Sequence, residues 1–535
     1  MNDPVAAGLA RGWRVHDASW YDRDVVVDCD VAIVGSGAGG GTAAEILSRA
    51  GLHVVLIEEG PLKSSRDFRM RERDAYPQLY QESAGRRTKD KGIVILQGRC
   101  VGGSTTVNWT SSFRTPPETL GVWQQRFGLV DYTTSALEPW FAMMERRLNI
   151  HPWDLPPNGN NEALRSGAVN LGIPTAVIPR NVTGCRNLGY CGMGCPVNAK
   201  QSMLVTTIPA ALDRGATLIT RLRAQRFVHS GDAVSALVCA ALDRTGLVPG
   251  PHVVTIRARS FVAAAGSIGT PALLMRSAAP DPYATLGKRT FLHPVVVSAA
   301  IMPDIVAPYS GAPQSIYSDH FLHEAALDGP IGYKLEVPPV HPVLMATTTP
   351  GFGSGHARLM SQLAHTQVII ALMRDGFHAE SIGGSVGLRS DGSPILDYPI
   401  TQYVWDGMRR ALVTMSQIQF AAGAKSVLPI HEAARELHSA DDARSLIAQL
   451  PMEILRAVVV SAHVMGGCAM GSDPRTSVAA SNGRHHSLEN LFVFDGSAFP
   501  TSIGANPQLS VYATVARNAS RLAKAMTGRE TEAIA

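Results

Sequence analysis

One stretch decides the fold: DVAIVGSGAGGGTAAEILSRAGLHVVLIEEG, from Asp30 to Gly60. Val31, Ala32, Ile33 and Val34 form an apolar run of the kind a buried strand needs. Gly35, Gly37 and Gly40 follow in the spacing G-x-G-x-x-G. A helical pattern then continues to Arg49, and HVVLI restores strand character before Glu58, eighteen residues beyond Gly40. The first glycine turns the chain, the second lets a pyrophosphate approach the backbone, and the third lets the helix pack on the strand. The helix N-terminus offers free N–H groups and partial positive charge to phosphates. Glu58 is placed to accept hydrogen bonds from a ribose. A bare glycine motif says little, but in this full strand–turn–helix–strand–acid context it predicts a dinucleotide cradle. The motif alone does not separate FAD from NAD.

Two C-terminal stretches add reactive groups: SAHVMGGCAMG from Ser461, and FDGSAFPTSIGANPQLSVYATVARNASRLA from Phe494. A neutral imidazole at His463 suits proton abstraction near physiological pH. The carboxamide of Asn506 can both donate to and accept from an alcohol oxygen. Asn506 and Pro507 open a helical pattern whose N-terminus carries partial positive charge. A lone histidine in a glycine-rich loop is more often structural, so residue type alone does not make His463 a base. His293, in FLHPVV, reads as a turn residue beside a domain junction.

Between these ends, GRCVGGSTTVNW (Gly98–Trp109) predicts a loop that approaches something closely. SFVAAAGSIGTPALLMRS, from Ser260, predicts strand, glycine turn and helix. From His293 to about Gly392, short β-prone runs predict an antiparallel sheet with one covered face. Residues 402–458 read as mostly helical.

A chain of 535 residues is too long for one simple core, so two intertwined domains are expected. A net charge of +4, with no basic run, gives no reason to expect a nucleic-acid partner. The N-terminal stretch has no apolar core of an export signal. No run of about 18 apolar residues suggests a membrane span. Seven cysteines, four of them scattered, argue against a disulfide framework.

Four ordered blocks resemble the glucose–methanol–choline (GMC) flavin oxidoreductases: the cradle, GRCVGGSTTVNW, AAGSIGTPALLMRS, and the two C-terminal stretches. CVGGSTTVNWTSSFRTP with CRNLGYCGMGCPVNAKQS is most similar to the long-chain alcohol oxidase and dehydrogenase branch. The resemblance implies an α/β fold, α+β overall: a Rossmann-like FAD-binding domain with an inserted substrate domain of antiparallel sheet plus helices. The expected division is a lead-in at 1–29, an FAD-binding domain from 30–125, 200–295 and 459–535, and a substrate domain from 126–199, including a Cys-rich excursion, and 296–458. It also implies flavin contacts at Gly102, Gly103, Ser104, Asn108, Gly266, Asp495, Gly496 and Pro507, beside Gly35, Gly37, Gly40 and Glu58. His463 matches the family's catalytic histidine and Asn506 its partner position. Some relatives attach FAD through a histidine where this chain has Val107, so non-covalent FAD is expected.

The implied activity is oxidation of medium- or long-chain primary alcohols to aldehydes, with oxygen, a quinone or a cytochrome as acceptor. Alternatives are a sugar or polyol dehydrogenase passing electrons through an iron–sulfur cluster, or a lyase or fatty-acid photodecarboxylase of the same family. Cys185, Cys191 and Cys195, followed by Pro196, are spaced like iron–sulfur ligands of some sugar-oxidising relatives. Free thiols, one disulfide with a spare cysteine, and an incomplete zinc site remain open. The implied location is the cytoplasm, with peripheral membrane contact or co-export to the periplasm on a small accessory subunit as alternatives.

Overall fold

A computed structural model describes residues 3–530. Two sheets organise the chain. In the first, strands Arg14–Asp17, Thr217–Thr220, Val54–Ile57, Val25–Val34 and Pro249–Ala263 lie side by side in parallel. Leu491–Val493 also pairs in parallel with the end of Pro249–Ala263. Antiparallel strands Ala233–Leu242 and Leu222–Ser230 complete the far edge. Val31, Ala32 and Ile33 are wholly buried, as the apolar run predicts for a strand covered on both faces. Helix Ala38–Arg49 follows the glycine turn and packs against the C-terminal helix Gln508–Thr527. The N-terminal lead-in is part of the architecture: Arg14–Asp17 forms an edge strand.

The second sheet runs Ile93–Ile95, Val459–Ser461, Val295–Ile301, Thr366–Met373, Tyr333–Glu336, Ile316–Ser318 and Ala176–Val177. Ser426–Pro429 also pairs with Val295–Ile301. The pairings are antiparallel apart from that of Ile93–Ile95 with Val459–Ser461. Thus strands on either side of the expected cofactor segments reach into this sheet and bring both halves of the molecule together.

The expectation of one covered face is overturned here. All eight residues of Thr366–Met373 are buried. Ile369, Ala371 and Met373 pack toward helix Gln402–Ala421, while Ile370 and Leu372 meet Val295 and Trp109, and Val368 meets Val340 and Met345. The loop after the first glycine-rich block and the short helix Pro342–Thr348 supply the second cover. Two local readings also change. Ser385–Leu388 leaves the sheet and pairs with Pro394–Asp397 as a separate hairpin. The helical region predicted over 402–458 ends at Gln449, because Pro451 disfavours the helical conformation of Leu450. Among the described residues, no helix is long and apolar enough to cross a membrane.

Candidate active site

The cradle forms where the parallel strands end. Gly35 adopts φ +98°, and a Cβ there would lie 2.3 Å from the Ala264 carbonyl oxygen. A Cβ on Gly40 would lie 1.8 Å from the Gly35 oxygen, so the third glycine does hold helix to strand. Gly37 differs: its nearest neighbour to such a Cβ is the Gly103 Cα at 3.8 Å. Gly103 is packed against it, since a Cβ on Gly103 would lie 2.8 Å from the Gly37 Cα, so two bare backbones meet beside an N-terminus with no side-chain cap. With no side chain over that terminus, its free N–H groups fit a pyrophosphate. Gly39, not singled out in the sequence, is the tightest position, with a hypothetical Cβ 1.7 Å from the Phe494 oxygen.

Glu58 is buried and accepts from Ser36 N at 3.1 Å, Ser36 Oγ at 2.5 Å and Gly60 N at 2.8 Å. Burial pushes its carboxyl above the usual range, and the three hydrogen bonds oppose that shift. Ser36 Oγ also accepts from Gly102 N at 3.0 Å, tying the two glycine loops together. Ser104 is exposed and accepts from Gly98 N, whereas Asn108 donates to Gln508 at 2.7 Å. Asp495 accepts from Gly266 N and Thr270 Oγ1 at 2.8 and 2.6 Å, and from Ser497 N at 2.8 Å. It thereby holds the segment containing Gly496 onto the turn at Gly266. Pro507 immediately precedes helix Gln508–Thr527.

His463 lies two residues beyond strand Val459–Ser461. Its Nδ1 is 3.0 Å from Nδ1 of His293, with the rings nearly perpendicular. His293 is therefore more than a turn residue: its backbone turns the chain, but its ring is buried against His463. Burial depresses the His463 imidazole to about 4, with the Lys334 cation lowering and Glu336 raising it. Burial first, then His463 and Lys334, also hold His293 well below its ordinary value. Both rings are neutral near pH 7.

Asn506 is buried between opposite charges. Lys334 Nζ donates to its Oδ1 at 3.1 Å, and its Nδ2 donates to Glu336 Oε2 at 3.2 Å. Lys334 and Glu336 pair at 3.0 Å, and Gln314 donates to Glu336 at 2.5 Å. Strand register explains the placement. Lys334 lies opposite Leu372 and Glu336 opposite Ile370, while the intervening Leu335 packs on the helix side. Period-two alternation sends the charges to the site face. The Lys334 ammonium also sits 3.1 Å from the Phe113 ring centroid, a cation–π contact. A small cavity is bordered by His293, Lys334, Leu372, Arg374, Gly504 and Asn506. Sequence reading missed His293, Lys334 and Glu336. The available signal was YKLE, a strand alternating charged and core residues within an otherwise apolar sheet.

The cysteine block lies beside the loop around Val107 and Asn108. All seven cysteines are free, and among the described residues no group of three or more His, Cys, Asp or Glu could hold a metal ion. Buried Lys200 explains the local fold: it donates to the carbonyls of Thr106, Asn108 and Cys191 at 2.8, 2.7 and 2.6 Å. Burial lowers its ammonium to about 8. Arg180 donates to Thr110 Oγ1 and the Trp109 carbonyl, and its guanidinium reaches the Cys191 sulfur at 3.7 Å. These two cations fasten the cysteine loop to the loop around Val107 and Asn108. Cys468 is buried.

Comparison with known proteins gives a consistent family match. Residues 76–295 and 380–514 match the N- and C-terminal parts of the GMC oxidoreductases. A long-chain-alcohol oxidase of Arabidopsis thaliana is 27% identical over 539 residues, covering 96% of this chain and 69% of that protein. A GMC-type oxidoreductase of Mycobacterium tuberculosis is 30% identical over 524 residues, covering 96% and 80% respectively. The structure of a pyridoxine 4-oxidase from "Mesorbium loti" matches with a TM-score of 0.67 at 20% identity, covering 92% of this chain and 99% of its own.

Proposed function

Because the chain belongs to the GMC oxidoreductase family, we propose that it oxidises primary alcohols of medium or long chain to aldehydes. The observation carrying this reading is His463, held neutral against His293 and beside the charged network that fixes Asn506. FAD, held non-covalently because Val107 provides no point of attachment, supplies the hydride acceptor when bound. Gly37 and Gly103 put no side chain over the helix N-terminus, which leaves its N–H groups to the pyrophosphate, and the remaining acceptor capacity of Glu58 serves the ribose. Asp495 fixes the Gly266 turn, and helix Gln508–Thr527 contributes positive potential from its uncapped N-terminus.

His463 accepts the hydroxyl proton through Nε2. Asn506, with one amide hydrogen committed to Glu336, presents the other to the alcohol oxygen. The Lys334 ammonium stabilises negative charge as it develops on that oxygen. The substrate class draws support from the Arabidopsis relative and from a largely apolar cleft lined by Ala299, Ile301, Met345, Leu359 and Leu428, with Glu436 at its edge. Oxygen is the proposed final acceptor, so one alcohol and one O2 give one aldehyde and one H2O2. A second reading, a compact polar alcohol, is favoured by Lys334, Arg374 and Asn506 around the inner cavity.

Anaerobic absorbance before and after addition of 1-dodecanol tests the proposal. Bleaching of the flavin bands in the dark is expected. Unbleached bands would overturn the long-chain reading, and bleaching by a polar alcohol instead would select the second.

A further inference from the structure

We propose that His293 is a positioning residue that selects the proton-accepting tautomer of His463. The inference rests on the alcohol-oxidation reading above, but the tautomer itself is a property of the chain. The two rings meet through Nδ1 and Nδ1 at 3.0 Å, a contact with room for one proton. Neutral imidazole donates through one nitrogen and accepts through the other, so one ring must donate and its neighbour accept. If His463 donates, its Nε2 keeps a free lone pair. If His293 donates, His463 carries its proton on Nε2 and cannot take one from an alcohol there.

The remaining contacts give the pair its use. His463 Nε2 makes no hydrogen bond among the described residues, so it is available to substrate. His293 Nε2 is buried without a partner, and its ring borders the cavity shared with Lys334 and Asn506. With His293 accepting at Nδ1, the proton of that ring sits on its own Nε2, and His463 Nε2 is left without one. The nearby Lys334 cation disfavours protonating either ring, while Glu336 favours it at His463. The pair therefore works as two neutral imidazoles sharing one hydrogen bond.

Nitrogen NMR of histidine-labelled holoenzyme tests this directly, with His463 assigned by loss of its signals in His463→Gln. The expected wild-type form carries hydrogen on His463 Nδ1 and none on Nε2. His293→Leu removes the acceptor and should return His463 to the Nε2–H form. His293→Asn, whose Oδ1 replaces the lost acceptor, should retain the wild-type form. Flavin reduction by 1-dodecanol should slow by about 100-fold in His293→Leu, in keeping with loss of general-base catalysis. Substrate affinity should change much less, and His293→Asn should recover most of the rate. An Nε2–H His463 in wild type, or an unchanged tautomer in folded His293→Leu, would overturn the proposal. If 1-dodecanol fails to reduce even the wild-type flavin, the substrate reading fails while the NMR result still decides the role of His293.

Discussion

At His463, burial and neighbouring charge determine when the side chain can serve as a base. Its imidazole is depressed from 6.5 to about 4, chiefly by burial. A base is active when unprotonated, so kcat/KM should stay level from pH 5 to pH 8 and fall only as pH approaches about 4. An acid limb centred near 6.5 would contradict the buried, neutral site. The stability sign follows from the same shift. Between 4 and 6.5 the unfolded chain binds more protons at this position, so its contribution favours folding less as pH falls through that window. Sequence motifs drew attention to His463 and Asn506 because both lie in distinctive C-terminal blocks. They could not reveal His293, Lys334 or Glu336, whose proximity depends on strand pairing across distant parts of the chain. A lysine and glutamate two residues apart ordinarily suggest a solvent-facing strand surface. Here that surface is covered by Phe113, Tyr317 and the Asn506 loop.

At the scale of an element, the glycine-rich turn divides binding from packing between two positions, Gly37 and Gly39, on either side of Ala38. Gly37→Ala adds a methyl group that meets no atom closer than 3.8 Å, but it places that methyl over the helix N-terminus where a phosphate would approach. The protein should fold with nearly normal thermal stability and lose at least 10-fold in FAD affinity, about 1.4 kcal/mol. Gly39→Ala instead drives a methyl group into the Phe494 carbonyl at 1.7 Å. Its melting temperature should fall even when excess FAD is supplied. Equal stability losses in the two variants would show that Gly37 serves packing rather than cofactor access. The G-x-G-x-x-G spacing exposed the turn, helix and flanking strands, but not the exceptional tightness at Gly39. That property comes from Leu491–Val493, which reaches the same strand end from over four hundred residues away. Thr366–Met373 illustrates the same limit: its apolar run was legible, yet its second cover comes from separate segments.

Across the whole molecule, strand Val295–Ile301 links the two chemical environments a long alcohol would encounter. His293 lies just before its first residue, and Ala299 and Ile301 border the apolar cleft farther along. Val295 to Ala299 spans about 14 Å at the usual rise of about 3.4 Å per residue. Val295, Val297 and Ala299 share one face by alternation, so this apolar surface runs from the reactive end toward the cleft. An alkyl tail that enters the cleft would exchange water for protein at about 0.8 kcal/mol per buried methylene. Filling the cleft with Ala299→Trp should therefore penalise only substrates long enough to reach it. Oxidation of 1-hexanol should remain within about twofold of wild type, whereas kcat/KM for 1-hexadecanol should fall at least 10-fold, corresponding to about two lost methylene burials. A uniform loss for both alcohols would indicate damage to the reactive end. An unchanged chain-length profile would remove the cleft from the substrate path, leaving the compact cavity around Lys334, Arg374 and Asn506 to define the alcohol.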